Sequence, residues 1–446
     1  MKNSRFLADY GMVLVLLLLC AFFSVVTMKE QWPSGEAGAR QVVESINEKY
    51  SKTARVIVVA STQSGDPEFA DAFEREFTAA GGKVLAVVKG DPKDARESLA
   101  KLNAAGEKVD AIASTRVVAS TWAVFEDLKA DFPALGEPRI VSPSSYKWPN
   151  FLKAGNLLNI ANQIAVIAII AIGMTMVIIT GGIDLSVGSI LALSAVIAAL
   201  IIREIGGGVN AGVGAMVGAC FLAVILCGLV GGLSGIIITR FAVPPFIATL
   251  AFMLIGKGRA FTLADNQSVY QLPESFVWLG RGADLFGLPN AVTLMVVLYV
   301  IAHIVMSRTT LGRHIYAVGG NREAARLSGV PVNRVILFAY VTCSMLAAVG
   351  GVIQASLFKS GSPTYGNMYE LYVIAAVIVG GTSISGGEGK MFGTLIGAFI
   401  IAVIQNGMNL MDVGSNKQME VLGAVILGAV LLDKLRQREA PSLRHE

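Results

Sequence analysis

The sequence has few charged residues, few histidines and few cysteines for its length of 446 residues. Charged residues make up only 15% of the chain, hydrophobic residues make up 54%, and the formal net charge is +4. Because no cluster of Lys and Arg is interleaved with aromatic residues, the sequence lacks the footprint of a nucleic-acid-binding protein. Cys20, Cys220, Cys227 and Cys343 lie in apolar segments without a CxxC spacing, which argues against a disulfide framework or a zinc site.

Motifs for catalysis and nucleotide binding are also missing. The 3 histidines have no acidic partner at motif spacing, which argues against a hydrolytic enzyme. Gly389 and Lys390 do not form a Walker A motif, because Ile384 stands where its first glycine is required and Met391 follows the lysine. We therefore expect a protein that is not an enzyme and that binds no cofactor or metal.

Long apolar runs are abundant, and the mean hydropathy is +0.63. Since helices of about 20 apolar residues satisfy their own backbone groups and cross a hydrocarbon layer of roughly 30 Å, these runs predict membrane spans. The predicted fold class is a polytopic α-helical membrane protein of about ten transmembrane helices, with an α/β soluble domain inserted between the first and second helices. The expected spans are Tyr10–Met28 and residues 157–180, 185–203, 209–239, 243–263, 291–307, 334–358, 369–386, 389–411 and 418–433.

This pattern predicts four regions and a topology in a bacterial cytoplasmic membrane. The first run lacks a small-x-small cleavage site, which favours an uncleaved anchor over a signal peptide, although both remain open. An even number of spans leaves both termini in the cytoplasm, and the basic loop 307–334 and basic tail agree with that side. The regions are a signal-anchor helix at 1–29, an extracytoplasmic lobe at 30–153, a transmembrane domain at 154–433 and a cytoplasmic tail at 434–446.

Within the lobe, strand-like and helix-like patterns alternate and predict a small parallel sheet with right-handed crossovers. Phe69, Phe73 and Phe77 recur every fourth residue and predict the buried face of one helix. The expected strands are 54–62, 83–88, 109–115 and 138–143, and the expected helices are 67–81, 92–106 and about 122–128.

No GxGxxG follows the first of these strands, which disfavours dinucleotide binding. By its pattern, the lobe resembles one half of a periplasmic sugar-binding protein. Such proteins close two lobes around a ligand, and the second lobe is missing here. Docking, plugging or structural support is therefore favoured over ligand capture, which remains the alternative.

Two apolar stretches are interrupted by glycines and hydroxyl groups, and they resemble halves of an internal repeat. TGGIDLSVGS contains Asp184 and Ser186, and GGTSISGGEGKMFG contains Ser383 and Ser385. Because an unpaired carboxylate is costly inside a bilayer, Asp184 is expected either to cap a helix or to line a substrate path. The four residues are therefore candidates for a substrate path, with structural capping as the competing hypothesis.

Three amide residues, Gln405, Asn406 and Asn409, lie in the next apolar run. Their side chains could hydrogen-bond a polyhydroxyl solute, or they could tie helices together at roughly 0.6–2 kcal/mol each. We include them in the candidate substrate path and favour the helix-tie interpretation slightly.

A basic loop, GRHIYAVGGNREAARLSGVPVNR, is bounded by apolar runs. Asn321 is a plausible N-cap, Glu323 lies in the first turn, and Gly329 ends the helix before a proline. The loop should therefore contain a short surface helix that presents Arg322 and Arg326 to a docking partner.

Glu323-Ala324-Ala325, followed by Gly329 after three intervening residues, resembles the coupling loop of ABC importer permeases. TGGIDLSVGSILAL, GRHIYAVGGNREAARLSGV and VGGTSISGGEGKMFGTLIGA, in this order, resemble the ribose, xylose and galactose branch of that superfamily. The resemblance implies a sugar-import permease that pairs with a second permease copy or paralogue, receives a monosaccharide from a periplasmic binding protein, and couples to a cytoplasmic ATPase that binds the ATP. The implied coupling residues are Gly319, Gly320, Asn321, Arg322, Glu323, Ala324, Ala325, Arg326 and Gly329.

The lobe departs from this family's usual pattern, in which only a short connection joins the first and second spans. The alternative function is an ion-coupled secondary transporter with an extracytoplasmic lid. Such a transporter requires an intramembrane acid–base relay, for which Asp184 and Glu370 are the candidate pair.

Overall fold

The computed structural model describes residues 2–50, 54–63 and 65–439, so the last part of the predicted tail, 440–446, lies outside the described residues. The chain forms two compact units. One is Met28–Pro149, and the other combines the residues up to Thr27 with those from Asn150 onward.

The unit Met28–Pro149 follows helix α1 (Lys2–Val26) and contains a parallel sheet, as the alternating pattern predicts. Its sheet has the strand order β3-β2-β4-β5, and a separate antiparallel pair, β1 with β6, places Met28 opposite Pro149. The elements are β1 (Met28–Gln31), α2 (Gly35–Lys49), β2 (Arg55–Ser61), α3 (Asp66–Ala79), β3 (Lys83–Gly90), α4 (Pro92–Ala104), β4 (Ala111–Ser114), α5 (Arg116–Thr121), α6 (Leu128–Asp131), β5 (Arg139–Val141) and β6 (Tyr146–Pro149).

The core of this unit forms where the central strand β2 is covered on both faces. The interior residues of β2 are all buried, which is typical of a parallel strand between two helical layers. Phe69, Phe73 and Phe77 of α3 are fully buried and successively stacked, which confirms the predicted buried face.

The predicted helix near residues 122–128 is wrong. The chain instead ends α5 at Thr121 and forms a single 3₁₀ turn, Ala123–Phe125, before α6. Trp122 adopts an extended backbone conformation (φ −89°, ψ 112°) and stacks on Phe125, which interrupts the helix.

The second unit is a bundle of apolar helices. Among the described residues, seven helices are long and apolar enough to cross a membrane, namely α7, α8, α9, α10, α12, α15 and α17, and Gly11–Val26 and Tyr369–Val379 are shorter apolar helices. The elements are α7 (Ala154–Ile179), α8 (Val187–Glu204), α9 (Val213–Arg240), α10 (Pro245–Leu263), α11 (Trp278–Arg281), α12 (Asn290–Arg308), α13 (Thr310–Gly320), α14 (Arg322–Leu327), α15 (Val332–Phe358), α16 (Tyr369–Val379), α17 (Met391–Leu410) and α18 (Ser415–Glu439). The protein is thus a helical membrane protein with an α/β region preceding most of its spans; the count of ten remains a prediction.

Helix α7 is the central element of the bundle. Every residue from Ile164 to Ile179 is buried, and the helix packs against α12, α15, α16 and α17. Close contact is possible because Gly173 lies against the backbone of Cys343 on α15, where a methyl group would lie 2.5 Å from the Cα atom. Helices α9 and α10, by contrast, expose most of their apolar side chains.

Two further boundaries differ from the sequence-based prediction. The apolar run 369–386 is not one helix, because α16 ends at Val379 and Gly381 adopts a positive φ of 83°. The basic loop contains an additional helix, α13, which was not predicted. Its N-cap Thr309 accepts a hydrogen bond from the Gly312 amide, and its apolar residues Ile315 and Val318 are buried.

Candidate functional site

The predicted coupling residues form a short helix-turn segment, α13 and α14, which we call the coupling segment (Thr310–Gly329). Asn321 separates the two helices, and its Oδ1 atom accepts a hydrogen bond from the Ala324 amide at 2.9 Å. Gly329 follows α14 with a φ of 83°, the left-handed conformation that glycine adopts at little cost. The predicted N-cap and helix stop are therefore confirmed.

The outward face of α14 is charged and solvent-exposed. Arg326 donates two hydrogen bonds from Nε to the Glu323 carboxylate, at 3.1 and 3.2 Å. This hydrogen bond lowers the pKa of the Glu323 carboxyl below its ordinary value, so the pair is ionised at neutral pH. Leu327 is 75% exposed on the same short helix, whereas Ala325 is buried beneath it. A helix with one covered alanine and an exposed mixture of charge and leucine is suited to entering a cleft on another protein.

The opposite side of the coupling segment packs directly on the two glycine-rich turns. At Gly319, an added Cβ atom would overlap the carbonyl oxygen of Ile179 and would lie 2.5 Å from the Gly387 amide nitrogen. Gly387 itself donates a hydrogen bond to the Ile179 carbonyl at 2.9 Å. In addition, the Tyr316 hydroxyl donates to the Gly389 carbonyl at 2.8 Å. The coupling segment is therefore in backbone-to-backbone contact with both turns.

The two turns have the same local structure, which supports the proposed internal repeat. Gly181 ends α7 with a φ of 79°, and Gly381 ends α16 with a φ of 83°. Gly181 donates to Ile178 and Gly381 donates to Ile378, while the next residue in each turn donates one position further back. Since the turns contact each other, they lie at the same end of the bundle, as a parallel repeat requires.

Asp184 is buried, with 1% of its surface exposed. Its Oδ1 atom accepts hydrogen bonds from the Ser186 amide at 2.9 Å and the Ser186 hydroxyl at 2.6 Å. Ser186 is the residue immediately before α8, so this carboxylate caps the start of that helix. The arrangement matches the capping hypothesis; a role in the substrate path remains a prediction.

Ser383 and Ser385 organise the second turn. The Ser383 hydroxyl accepts a hydrogen bond from the Ser385 amide at 3.2 Å, and the Ser383 amide donates to the Glu388 carbonyl at 3.0 Å. Both residues precede α17, whereas the three amide residues lie near its far end. Because Gln405 is fourteen residues into α17, it lies roughly 20 Å from the start of that helix. Ser383 and Ser385 therefore lie at the opposite end of α17 from the three amide residues.

The amide residues on α17 have different partners. Asn406 pairs reciprocally with Asn156 on α7, with Nδ2-to-Oδ1 distances of 2.8 and 2.9 Å. Asn156 also donates to the Phe151 carbonyl, so this pair ties α17 to the start of α7. Asn409 accepts a hydrogen bond from Gln418 on α18 at 2.8 Å. Gln405 has a buried Oε1 atom without a hydrogen-bond partner.

Sequence reasoning missed Tyr316, Ile179 and Gly387 as parts of this arrangement. The sequence does contain a signal for Gly387, because the glycine-rich stretch that contains it interrupts an apolar run. Nothing local to the sequence indicates which turn Tyr316 reaches, because residues 316 and 389 are far apart in the chain.

The helical part of the chain is similar in sequence to known transport permeases. Residues 156–432 match the family described as the branched-chain amino acid transport system / permease component. The ribose import permease RbsC of Escherichia coli K12 is 44% identical over 293 residues, covering 65% of this chain and 88% of that protein.

The ribose import permease RbsC of Bacillus subtilis is 45% identical over 304 residues, covering 68% of this chain and 92% of that protein. The L-arabinose transport system permease AraH of Escherichia coli K12 is 36% identical over 290 residues, covering 65% of this chain and 86% of that protein. No solved structure matches the chain. The family match begins after the α/β unit, whose identity it leaves open.

Proposed function

The chain belongs to the family of branched-chain-type transport permeases, and from that premise we propose that it carries a monosaccharide of the ribose or arabinose class. It is the non-catalytic membrane component of an ABC sugar importer, and ATP is bound by a separate ATPase subunit. Family membership does not support the alternative of an ion-coupled secondary transporter.

The observation that carries the mechanistic proposal is the contact between the coupling segment and both glycine-rich turns. Gly319 has no room for a side chain against Ile179 and Gly387, so a displacement of α13 would press directly on the turns at the ends of α7 and α16. The exposed pair of Glu323 and Arg326 on α14 would engage a cleft on the ATPase. Closure of the ATPase would then shift α13 as a rigid body and change the spacing of the two turns.

This mechanism requires specific partners and a specific orientation. We propose that α14 and both termini face the cytoplasm, that α1, α16 and α18 complete a set of about ten spans, and that the unit Met28–Pro149 is extracytoplasmic. A second permease copy or paralogue would complete the pore. A periplasmic binding protein would deliver the sugar, since the α/β unit contains one parallel sheet instead of the two lobes that close around a ligand.

The coupling assignment can be tested with the variant Glu323→Ala plus Gly329→Pro in the complete transporter, reconstituted in vesicles. The expected result is loss of ATP-driven ribose or arabinose import while membrane insertion is retained, because α14 loses both its ion pair and its helix stop.

Glu204→Ala is a matched control, since Glu204 also forms an exposed ion pair with a neighbouring arginine, Arg203, at 2.7 Å. This control should import normally. Unchanged import by the double variant would refute the assignment of the coupling segment.

A further inference from the structure

A cavity of about 220 Å³ lies at the end of α17 opposite the coupling segment. Four helices, α7, α16, α17 and α18, contribute to its wall. Within the wall, Gln418 of α18 donates a hydrogen bond to Asn409 of α17 at 2.8 Å. Gln163 and Asn409 are exposed, so the cavity is open at the surface. Its polar lining consists of Gln163 from α7, Tyr369 and Tyr372 from α16, Gln405 and Asn409 from α17, and Gln418 from α18.

Gln405 provides the strongest sign that this cavity has a ligand. Its residue surface is only 8% exposed, and its Oε1 atom is buried without a partner. Leaving a buried amide oxygen unpaired costs about 1–3 kcal/mol, so a native protein rarely keeps one without a reason. Because Gln405 lines the cavity, rotation of its amide toward the cavity would let a ligand hydroxyl donate to Oε1 and remove this cost.

A second unpaired acceptor lies next to the cavity wall. Gln354 on α15 donates from Nε2 to the Tyr369 hydroxyl at 2.6 Å, while its own Oε1 atom is buried without a partner. Tyr369 is therefore held by an amide that is itself only half satisfied. Two such acceptors near one cavity are unlike the Asn156–Asn406 pair, in which each amide donates to the other.

The chemistry of the lining selects a class of ligand. Its side chains are amides, phenols and one isoleucine, without a charged group. Amides and phenols both donate and accept hydrogen bonds, which suits a neutral polyol, whereas an amino acid zwitterion would need charged partners. The rings of Tyr369 and Tyr372 meet edge to face, with an interplanar angle of 87°. At roughly 30 Å³ per water, the cavity holds about seven waters, which is the scale of one monosaccharide.

We propose that this cavity is a monosaccharide-binding station, in which Gln405 Oε1 accepts a hydrogen bond from a sugar hydroxyl. The proposal rests on the proposed import function and specifies where in the helix bundle the sugar binds during import. The sugar occupies the end of the bundle away from the coupling segment, before it reaches the glycine-rich turns. Asn406, one residue further along α17, is a structural tie and not part of the station.

The test compares Gln405→Leu with wild type in the complete transporter in vesicles, using labelled ribose, labelled arabinose and labelled leucine as probes. Import of the preferred pentose should fall about tenfold, the equivalent of losing one hydrogen bond worth roughly 1.4 kcal/mol. The unfolding temperature should not fall, because the substitution removes an unsatisfied buried oxygen. Asn406→Leu should lower the unfolding temperature, because it leaves the Asn156 Oδ1 atom without its hydrogen-bond donor.

Two further variants keep the result interpretable. Tyr372→Phe removes only the cavity hydroxyl and should also reduce pentose import severalfold. Asn210→Leu makes the same amide-to-leucine change at an exposed position between α8 and α9, outside the cavity lining, and should import normally.

The outcomes separate this proposal from the one on which it rests. Wild-type vesicles that import neither pentose would refute the proposed function itself. Normal wild-type import together with unchanged import by Gln405→Leu and Tyr372→Phe would overturn the station alone. Dissociation of a permease dimer in Gln405→Leu would also overturn it, since the amide would then serve a contact between two copies.

Discussion

Replacing Gly319 by alanine should separate the coupling segment from the turns that it contacts. The added Cβ would overlap the Ile179 carbonyl oxygen and lie 2.5 Å from the Gly387 nitrogen, so the backbones of Gly319 and Ile179 must separate by roughly 1.5–2 Å to reach ordinary contact. Overpacking of this kind costs about 1–3 kcal/mol. Weakening the 2.9 Å hydrogen bond from Gly387 to Ile179 adds about 0.5–1.5 kcal/mol.

Gly320→Ala is the matched control, because an added Cβ at Gly320 has no atom within 4 Å. It makes the same chemical change one residue later on the same helix. We expect Gly319→Ala to lower both the unfolding temperature and the sugar imported per ATP hydrolysed, while Gly320→Ala behaves like wild type. The two quantities are measured by thermal unfolding of the purified chain and by paired import and ATPase assays in vesicles. Indistinguishable behaviour of the two variants would refute the tight contact and the coupling argument built on it.

Two other positions test the packing of each unit. Thr394→Val removes the buried 2.8 Å hydrogen bond between the Thr394 and Thr175 hydroxyls, and should cost about 0.6–1.7 kcal/mol in a detergent unfolding assay, since Thr175 still bonds within its own helix; an unchanged unfolding temperature would show that the pair contributes nothing. Phe73→Ala empties a fully buried site between Phe69 and Phe77, costs about 3–5 kcal/mol, and should make the unit Met28–Pro149 sensitive to limited proteolysis. Protease resistance equal to wild type would contradict the central position of that ring.

Periodicity predicted the elements that carry their own signal. The four-residue recurrence of Phe69, Phe73 and Phe77 identified α3 and its buried face, and Asn321 and Gly329 identified both ends of α14. These features are readable because each depends on neighbours within one or two turns. The helix predicted near Trp122 was wrong because the extended backbone at that residue accompanies packing that the neighbouring residues in the sequence do not specify.

The amides on α17 show the same limit at the candidate sites. Asn406 and Gln405 are adjacent amides in one apolar run, and no sequence feature distinguishes them. The fold assigns them different environments, because one side chain pairs with Asn156 on α7, whereas the other lines a cavity and has a buried oxygen without a hydrogen-bond partner.

By itself, the sequence determined that the chain is a multi-helix membrane protein with an α/β region, and its coupling motif identified the family. The length of an apolar run and the capping residues of a helix are local properties, so they can be identified from the sequence without knowledge of the fold. Only the tertiary structure decided that Gly319, Ile179 and Gly387 meet. Contacts between residues far apart in the chain depend on how whole helices pack, and a glycine shows what it touches only once the facing backbone is known.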